Sequence, residues 1–274
     1  MAPIATKGLA DVVAVETALS DIDGKAGRLF YRGYDIHDLV GKISFEECVH
    51  LLQRGTLPTR AELDALTREL DAGRELNRLV LDGLGGIARG QTPMEALRSL
   101  VSLASAEDPD KASDDAAANL RKAARLTAQQ PVLVARYHAA RRGVTAPDPD
   151  PSLGIAGNFL LQITGTEPSP RQAEIFGACL VLHADHTMNA STFAARVCAA
   201  TLSDMHSAIC AAIGTLKGPL HGGANEQVMH MLEEIGDVAA VDDAVRARLA
   251  AGAKIPGFGH RVYKTEDPRA THLR

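Results

Sequence analysis

Two hydrophobic patterns divide the chain. Residues 12–32 contain the apolar runs VVAVETA and RLFYRG on either side of the turn-rich segment SDIDGKAG. Two runs of this kind, joined by a short segment that contains glycine, are typical of a β-hairpin. After this hairpin the apolar positions recur at helical spacing. The pattern therefore predicts an all-α fold with one short N-terminal β-hairpin.

Four capping boxes predict where helices begin. In each box a Ser or Thr accepts a hydrogen bond from the third helical amide, and a Glu or Gln three positions later reaches back to the cap. The pairs are Ser44 with Glu47, Thr59 with Glu62, Thr92 with Glu95, and Ser169 with Gln172. Periodicity predicts further helices at about 113–127, 131–142, 152–164, 190–201, 204–216, 223–235 and 240–251.

One predicted helix is apolar on nearly every face. It is EIFGACLVLHAD at 174–185, and only its last positions are polar. A helix of this kind is expected in the middle of a larger helical assembly. The end of this helix is therefore predicted to be an interior location.

Composition narrows the possible partners without identifying the chemistry. A chain of 274 residues with 46% hydrophobic content is long enough for one large core and a second, smaller domain. Its net charge of −5 disfavours nucleic acid and anionic membranes as partners, and no segment approaches the roughly 18 apolar residues of a membrane span. Widely spaced cysteines without a CxxC pair predict buried thiols and a cytoplasmic location. They are Cys48, Cys179, Cys198 and Cys210.

The first candidate site is LHADHTMNAST, in which His183 and His186 are three positions apart. On a helix they would project from one face. A zinc site is one interpretation, but the pair lacks the spacing and central glutamate of a metalloprotease helix, and no further ligand set completes it. We therefore predict no metal here, and polar packing is the alternative to a binding role.

The second candidate is GPLHGGAN, in which His221 precedes a predicted amphipathic helix. The partial positive charge of a helix N-terminus disfavours a protonated ring. A neutral histidine in that position can polarise a carbonyl group by donating one hydrogen bond. A histidine that only caps the helix is the alternative interpretation.

The third candidate is the glycine-rich segment PGFGHRVYKTEDPR. Gly257 and Gly259 flank Phe258, so backbone amides could approach a ligand closely. The segment is not a Walker loop, and an ordinary tight turn is the alternative. Its basic residues suit a small ligand with several negative charges better than a polymer. They are His260, Arg261, Lys264, Arg269 and Arg274.

Taken together and in this order, LHADHTMNAST, LKGPLHGGAN and PGFGHRVYKTEDPR resemble the signature segments of citrate synthases of the bacterial and archaeal type. LFYRGYDIHDLV resembles the start of that family, so the likeness extends along nearly the whole chain. The resemblance implies a large helical domain at 1–221, the incomplete start of a small helical domain at 222–274 that closes over the substrates, and a homodimer.

The resemblance also implies roles for individual residues. His186 would bind oxaloacetate, His221 would face the acetyl-CoA thioester, and His260 would bond the keto oxygen of oxaloacetate. Arg269 of the DPR sequence would clamp an oxaloacetate carboxylate. Coenzyme A would lie along a path formed by Lys254, Gly257, Phe258, Gly259, Arg261 and Lys264.

This chemistry agrees with the residue types. A thioester methyl group is a poor acid, so a fixed donor such as His221 is needed to stabilise the enolate as it forms. The enol carbon then attacks oxaloacetate, whose oxygen needs a proton donor such as His260. The scheme needs no metal and no tightly bound cofactor, because the coenzyme A thioester is a co-substrate.

The sequence departs from the family pattern at its end. The base of the family is an aspartate downstream of the DPR sequence, and the sequence ends at Arg274 before any match to it. Asp185, Glu226 and Asp267 lie near the motifs, but each is interpreted as a cap or a surface acid. We therefore expect the 274-residue form to be inactive or impaired.

Three functions remain open from the sequence. The first is an acyltransferase that condenses acetyl-CoA with oxaloacetate to citrate. The second is a 2-methylcitrate synthase that uses propionyl-CoA, because one methylene group provides only about 1 to 3 kcal/mol of discrimination and the motifs do not separate the two. The third is a non-catalytic ligand-binding fragment that lacks the base.

Overall fold

The structure is a computed structural model that describes residues 15–259 and 262–274. Helices account for most of the described residues, and a small antiparallel sheet lies near the N-terminus, so the prediction of an all-α fold with a short β element is confirmed. The strands are β1 (Ser20–Asp23), β2 (Arg28–Tyr31) and β3 (Tyr34–Asp35). The helices are α1 (Ile36–Leu39), α2 (Phe45–Arg54), α3 (Arg60–Gly73), α4 (Arg78–Gly90), α5 (Pro93–Ala104), α6 (Ala116–Arg142), α7 (Ile155–Thr164), α8 (Pro170–Leu182), α9 (Ala190–Ala200), α10 (Met205–Leu216), α11 (Ala224–Ile235), α12 (Val241–Ala250) and α13 (Ala270–Leu273).

The predicted hairpin is part of a three-stranded sheet with the order β1-β2-β3. Ser20 pairs with Tyr31 across β1 and β2, and Tyr31 pairs with Tyr34 across β2 and β3. The third strand follows from Arg32 and Gly33, which have φ values of 49° and 88°. Two consecutive residues with positive φ form the tight turn that suits the twist of paired strands. Residues 12–14 of the predicted hairpin lie outside the described residues.

The capping boxes predicted the starts of four helices correctly. Ser44, Thr59 and Ser169 each accept a hydrogen bond from the amide of the residue three positions later, at the starts of α2, α3 and α8. At the start of α5, the Glu95 carboxylate accepts a hydrogen bond of 2.9 Å from the Thr92 amide. Each box satisfies amides that have no partner within the helix.

Helix α6 corrects the prediction of two separate helices at 113–127 and 131–142. It runs from Ala116 to Arg142 with Pro131 inside it. A proline within a helix removes one hydrogen bond and costs about 3 kcal/mol. Here both halves of the helix are packed into the interior, with Ala128 on one side of the proline and Leu133 on the other. Burial of the whole helix offsets the cost of the proline.

Helix α4 was not predicted, although its start carries a signal. The Asn77 side chain caps it by accepting a hydrogen bond of 2.9 Å from the Val80 amide. Its amide group also donates to the Leu103 carbonyl at 3.1 Å. Three glycines inside the helix lower its intrinsic propensity and hid the periodicity. They are Gly83, Gly85 and Gly86.

The prediction that the helix near 174–185 is buried throughout is wrong. Only its last two residues, Val181 and Leu182, are fully buried, whereas Ile175 is 51% exposed. The helix packs against α7, where Phe159 and Phe176 stack with ring centroids 5.0 Å apart, while most of its other residues are only partly buried. The end of α8 is nevertheless interior, as expected.

Three clusters of buried side chains hold the fold together. The largest is centred on α5 and α6, with Leu100 and Leu133 among its members. A second joins the sheet, α1 and α2 to the end of α8 through residues such as Tyr31, Leu51 and Leu182. All members of the three clusters precede α11. The predicted domain division between 221 and 222 stays a prediction.

Two further findings concern composition. The four cysteines are free, and only Cys48 is buried, so the prediction of buried thiols is wrong for Cys179, Cys198 and Cys210. Each of these three lies on a helix face that the rest of the described chain covers only in part. Within the described residues, each helix is too short or too polar to span a bilayer.

Candidate active site

The turn that carries His186 is built on the buried end of α8. The hydroxyl group of Tyr31 is 3.0 Å from the Val181 carbonyl and 3.3 Å from the Leu182 carbonyl, and it accepts a hydrogen bond of 3.4 Å from the Asp185 amide. Tyr31 is fully buried, and burial raises the pKa of its phenol. The hydroxyl therefore stays protonated and donates to carbonyls at the helix end, which have no partner within the helix.

The next residues of the turn are fixed from the sheet. Ser20 Oγ makes a short hydrogen bond to the Asp185 carboxylate. The Thr187 amide donates to Ser20 Oγ at 2.9 Å and to Asp185 Oδ2 at 3.1 Å. These contacts hold Thr187 at a φ of 54°, a region that a β-branched residue rarely adopts. The backbone on both sides of His186 is thereby held in one conformation.

His183 and His186 do not share a helical face, contrary to the prediction. Helix α8 ends at Leu182, and His183 is its exposed cap residue, with Nδ1 2.7 Å from the Cys179 carbonyl. His186 lies beyond the helix and points toward a different part of the chain. The motif spacing suggested one continuous helix, but the Tyr31 contacts end it before either histidine.

Tyr263, which sequence analysis missed, contacts His186. Its hydroxyl is 3.1 Å from Nε2 of His186, and the two rings meet edge to face at 72° with centroids 5.6 Å apart. Tyr263 is only 3% exposed. Burial, together with the nearby Asp267 carboxylate, raises the pKa of its phenol to about 12. A neutral hydroxyl group is therefore in contact with His186 at neutral pH.

Arg269 lies near the same tyrosine and pairs with Asp267. Its Nη2 is 2.6 Å from Oδ2 of Asp267, and its Nε is 2.9 Å from Oδ1. Burial opposes the charged guanidinium, but the Asp267 carboxylate and the phenols of Tyr263 and Tyr31 outweigh it and raise the pKa of Arg269. Asp267 is thus the partner of an arginine, and its Oδ1 also accepts a hydrogen bond of 3.0 Å from the Arg269 amide, which agrees with its interpretation as a cap. The two parallel contacts fix the plane of the guanidinium.

The N-terminal sheet holds the segment that contains Tyr263 and Arg269. The Lys264 amide donates to the Gly24 carbonyl at 2.8 Å, in the turn between β1 and β2. A Cβ atom on Gly24 would lie 2.5 Å from the Val262 carbonyl oxygen, so only glycine permits this approach. Farther along the segment, Nε2 of His272 is 2.8 Å from Nδ1 of His37.

His221 lies at the predicted helix start, and its ring reaches a second helix. It precedes α11, but its ring contacts the first turn of α9, where Nε2 is 3.0 Å from Ser191 Oγ and accepts a hydrogen bond of 3.3 Å from the Ser191 amide. A nitrogen that accepts from an amide carries no proton. This geometry describes a neutral ring with its proton on Nδ1.

The glycine-rich segment forms a tight turn, which is the alternative that the sequence offered to a ligand-binding loop. Gly257 and Gly259 have φ values of 85° and 88°, a region that favours glycine. Phe258 between them is 82% exposed, and Lys254 is exposed as well. Two predicted site residues, His260 and Arg261, lie outside the described residues.

The remaining acidic candidates have separate environments. The Asp185 carboxylate accepts hydrogen bonds within its own turn, which agrees with its interpretation as a cap. Glu226 is exposed, and its Oε1 is 3.8 Å from His230 Nε2. Within residues 15–259 and 262–274, no cluster of three or more His, Cys, Asp or Glu side chains is placed to hold a metal ion. The prediction that His183 and His186 bind no metal stays a prediction.

The residues missed by sequence analysis share one property. Tyr31, Ser191 and Tyr263 each contact a motif residue that is far away in the chain. Ser191 follows Asn189, which caps α9, and this cap was a usable signal for a helix start beside the first motif. The two tyrosines were visible in the sequence only as aromatic residues near charged ones.

A family model described as "Citrate synthase, C-terminal domain" matches residues 8–274. Citrate synthase 2 of Bacillus subtilis is 48% identical over 271 residues, which cover 98% of this chain and 72% of that protein. The 2-methylcitrate synthase of Mycobacterium tuberculosis is 45% identical over 272 residues, which cover 99% of this chain and 69% of that protein. Relatives with two different names are thus similarly close.

A solved structure has a similar fold. The ternary complex of carboxymethyl coenzyme A and oxaloacetate with the citrate synthase of Thermoplasma acidophilum superposes with a TM-score of 0.88 and 33% identity. The match covers 95% of this chain and 69% of the other. The helical arrangement therefore agrees along nearly the whole chain.

Proposed function

Because this chain belongs to the citrate synthase family, we propose that it condenses an acyl-CoA thioester with oxaloacetate. The observation that carries the proposal is the meeting of His186 with Tyr263, on the segment that also holds Arg269. This contact joins the first and third motifs, which are far apart in the sequence. A cation and a histidine near one buried phenol suit a small dicarboxylate.

In the proposed site, Arg269 binds a carboxylate of oxaloacetate. The Asp267 carboxylate holds the guanidinium plane and leaves the remaining N–H groups to the substrate. His186 binds the same substrate, and His260 donates to its keto oxygen as the carbon–carbon bond forms. The proton from His260 would neutralise the new alkoxide. Water would then hydrolyse the thioester of the condensed product, which breaks the carbon–sulfur bond and releases coenzyme A with the free acid.

His221 acts on the thioester in this proposal. Because its Nε2 accepts from the Ser191 amide, the ring presents its proton on Nδ1. Nδ1–H then donates to the thioester oxygen as the aspartate base of the family takes a proton from the methyl group and the enolate forms. His221 therefore acts as a hydrogen-bond donor through Nδ1–H in this proposal.

The turn at 257–259 is the proposed contact for coenzyme A. Its positive φ values leave backbone groups exposed, and Phe258 offers an exposed aromatic face. Lys254, Arg261 and Lys264 would attract the phosphate groups of the coenzyme. The coenzyme A thioester is a co-substrate, and the scheme contains no tightly bound cofactor.

Two acyl groups are possible, and we propose acetyl-CoA and citrate first. The 2-methylcitrate synthase similarity favours propionyl-CoA as the second candidate. The sequence expectation that the 274-residue form is inactive or impaired stays a prediction, as does the cytoplasmic location. An inactive form that still binds oxaloacetate would correspond to the ligand-binding fragment.

A homodimer is also part of the proposal, and exposed apolar side chains support it. Val197 on α9 is 51% exposed, Leu202 directly after α9 is 84% exposed, and Leu79 on α4 is 48% exposed. Helix α9 has no fully buried residue. Exposed apolar side chains can mark sites of association, and in this proposal a second copy covers them.

Coenzyme A release with acetyl-CoA or propionyl-CoA, each with oxaloacetate, tests the reaction and ranks the two acyl groups. Calorimetric binding of oxaloacetate tests the site independently of turnover. We expect Arg269→Ala to weaken oxaloacetate binding by roughly 10- to 100-fold, the usual effect of losing a charge-assisted partner. Arg274→Ala is the matched control, because this arginine is on the same segment but is exposed. Equal affinities for both variants would contradict the proposed role of Arg269.

A further inference from the structure

Two histidines meet where the segment at 262–274 reaches the N-terminal part of the fold. His37 lies in α1 and His272 in α13, and Nδ1 of the first is 2.8 Å from Nε2 of the second. The ring centroids are 4.9 Å apart, with an angle of 34° between the ring planes. Both side chains are exposed, so each ring exchanges protons with solvent directly. The state of this contact therefore depends on the pH of the solution.

The number of protons on the two rings decides whether this contact can form. At 2.8 Å one of the facing nitrogens must donate a hydrogen bond and the other must accept it. The contact is therefore compatible with two neutral rings, or with one neutral ring and one protonated ring. When both rings are protonated, two N–H groups face each other and two positive charges lie side by side. The second protonation thus breaks the hydrogen bond and adds repulsion.

The surroundings of the pair favour keeping one ring neutral. Burial, the His37 ring and Lys42 lower the pKa of His272, against the opposing effect of Asp35. Four ion pairs lie on the elements that carry or adjoin the two histidines, so the carboxylates there are already matched by cations. They are Arg28 with Asp35, Lys42 with Asp38, Asp267 with Arg269, and Glu266 with Arg274. Lys264 adds one further positive charge to the segment.

We propose that the contact between His37 and His272 is a pH-sensitive device. It holds the segment at 262–274 against α1 while one of the facing nitrogens is unprotonated, and it releases the segment when both rings are protonated. Arg269 belongs to the same turn as His272, because the His272 amide donates to the Arg269 carbonyl at 3.1 Å. Release at the ring is therefore transmitted to the guanidinium that is proposed to bind a carboxylate. The inference rests on the proposed function only in naming oxaloacetate as the ligand of Arg269.

The direction of the pH effect follows from the number of protons bound in each state. In the docked state the pKa of His272 is lowered from its ordinary value of 6.5, whereas the ring of a released segment titrates near that value. Below pH 6.5 the released state therefore binds more protons than the docked state. Docking is retained above this pH and weakens as the pH falls below it, by at most about tenfold per pH unit for one linked proton. Because one hydrogen bond is lost, the total weakening should be about 3- to 10-fold.

Hydrogen exchange of the Lys264 amide tests the proposal without a ligand. This amide donates to the Gly24 carbonyl at 2.8 Å, so its protection, corrected for the intrinsic exchange rate at each pH, reports docking of the segment. We expect protection in the parent protein to fall by about 3- to 10-fold from pH 7 to pH 5. In His272→Gln, which has no titrating ring at this position, the fall should be absent. Oxaloacetate affinity, measured by calorimetry, should follow the protection in both proteins.

His230→Gln is the matched control. His230 is an exposed histidine on α11 that lies near Glu226 and Glu233 of the same helix, so this variant should keep the pH dependence of the parent protein. Protection that does not change between pH 7 and pH 5 in the parent protein, or an equal fall in His272→Gln, would overturn the inference. Absence of oxaloacetate binding would instead contradict the proposed function, and the protection of the Lys264 amide would still decide the role of the two histidines.

Discussion

Two regions of the molecule are held in place by different kinds of interaction. We call residues 45–216 the helical body and residues 262–274 the C-terminal segment. Most of the fully buried apolar side chains, including Leu100 and Leu133, lie in the helical body. In the C-terminal segment only Tyr263 and Pro268 are buried. The segment is instead held by hydrogen bonds and close backbone contacts.

The difference separates stability from proposed function. Burial of apolar area is non-directional and provides most of the free energy of folding, which favours the helical body. Hydrogen bonds are directional, and they fix the angles at which Arg269 and Tyr263 meet the rest of the site. Regions with few buried apolar contacts open more readily than the core. We therefore expect the C-terminal segment to open more readily than the helical body.

The largest expected effect is on turnover rather than on stability, and it concerns His221. In a full-length form that includes the family's aspartate base, we expect His221→Ala to lower the turnover number by about 10² to 10³, the cost of removing one donor to a developing oxyanion. The free energy of unfolding and the oxaloacetate affinity should change little. Exchange of the acetyl-CoA methyl protons with solvent, with a non-condensing oxaloacetate analogue present, measures the step directly.

Ser191→Ala is the control for this prediction. It removes the hydroxyl 3.0 Å from His221 Nε2 but keeps the backbone amide, so its effect should be smaller. Should His221→Ala exchange methyl protons at the parent rate, His221 would be a structural helix-end residue. His221 would then contribute to the stability of the protein and not to catalysis.

A smaller effect is expected where the sheet meets the C-terminal segment. Gly24→Ala places a Cβ atom 2.5 Å from the Val262 carbonyl oxygen, so the segment must shift. Overpacking of this kind costs about 1 to 3 kcal/mol. We expect Gly24→Ala to weaken oxaloacetate binding, as measured by calorimetry. The free energy of unfolding of the helical body, as measured with denaturant, should change little.

Gly86→Ala provides the matched control within the body. A Cβ atom on Gly86 meets nothing within 4 Å, and the residue lies inside α4. Alanine there should raise the free energy of unfolding by roughly 0.5 to 1 kcal/mol through helix propensity, with unchanged oxaloacetate affinity. If Gly24→Ala and Gly86→Ala had the same effect on affinity, docking by the sheet would not matter to the site.

The smallest expected effect concerns a titrating group in the helical body. His206 is 2% exposed and its Nε2 makes no hydrogen bond, although Oδ2 of Asp108 is 3.7 Å away. Burial lowers the pKa of His206 despite the opposing carboxylates of Asp108 and Asp204. The unfolded ring therefore binds a proton at a pH where the folded ring does not. Stability should be retained above the ordinary pKa of 6.5 and decline as the pH falls below it.

The measurement for His206 is the unfolding free energy between pH 7 and pH 5. A single histidine contributes a slope of roughly 1.4 kcal/mol per pH unit at most. We expect His206→Gln to flatten this dependence, whereas His230→Gln, which changes a histidine that is 65% exposed, should not. Identical slopes for the parent protein and His206→Gln would rule out His206 as the source.

Much of the helical body was predictable because its signals are local. A capping box such as Ser44 with Glu47 satisfies amides within one turn, so the sequence predicts the start of the helix. The continuous α6 was not predictable in the same way, because burial on both sides of Pro131 overrides a local helix breaker. Propensity gives the default conformation, and tertiary packing decides the exceptions.

The site was predictable only in part for the same reason. Residues His186, His221 and Arg269 stood out because they lie in motifs, and their assigned roles remain proposals. Their partners Tyr263 and Ser191 were not found, because each contact joins segments that no local pattern relates. A motif identifies which side chains perform chemistry, whereas the folded chain determines what orients them.

The three-stranded sheet also has a consequence for the order of folding. The segments that contact the sheet and the short helix α1 after it are distant in the chain. Tyr31 in β2 contacts Val181 across 150 positions, and His37 in α1 contacts His272 across 235. Closing long loops is slow, because the entropy must be lost before the contact forms. We expect helix pairs such as α9 and α10 to form early in refolding, and the sheet to join both distant segments last. Ligand binding would then appear only in the final kinetic phase, after helical circular dichroism has reached its native value.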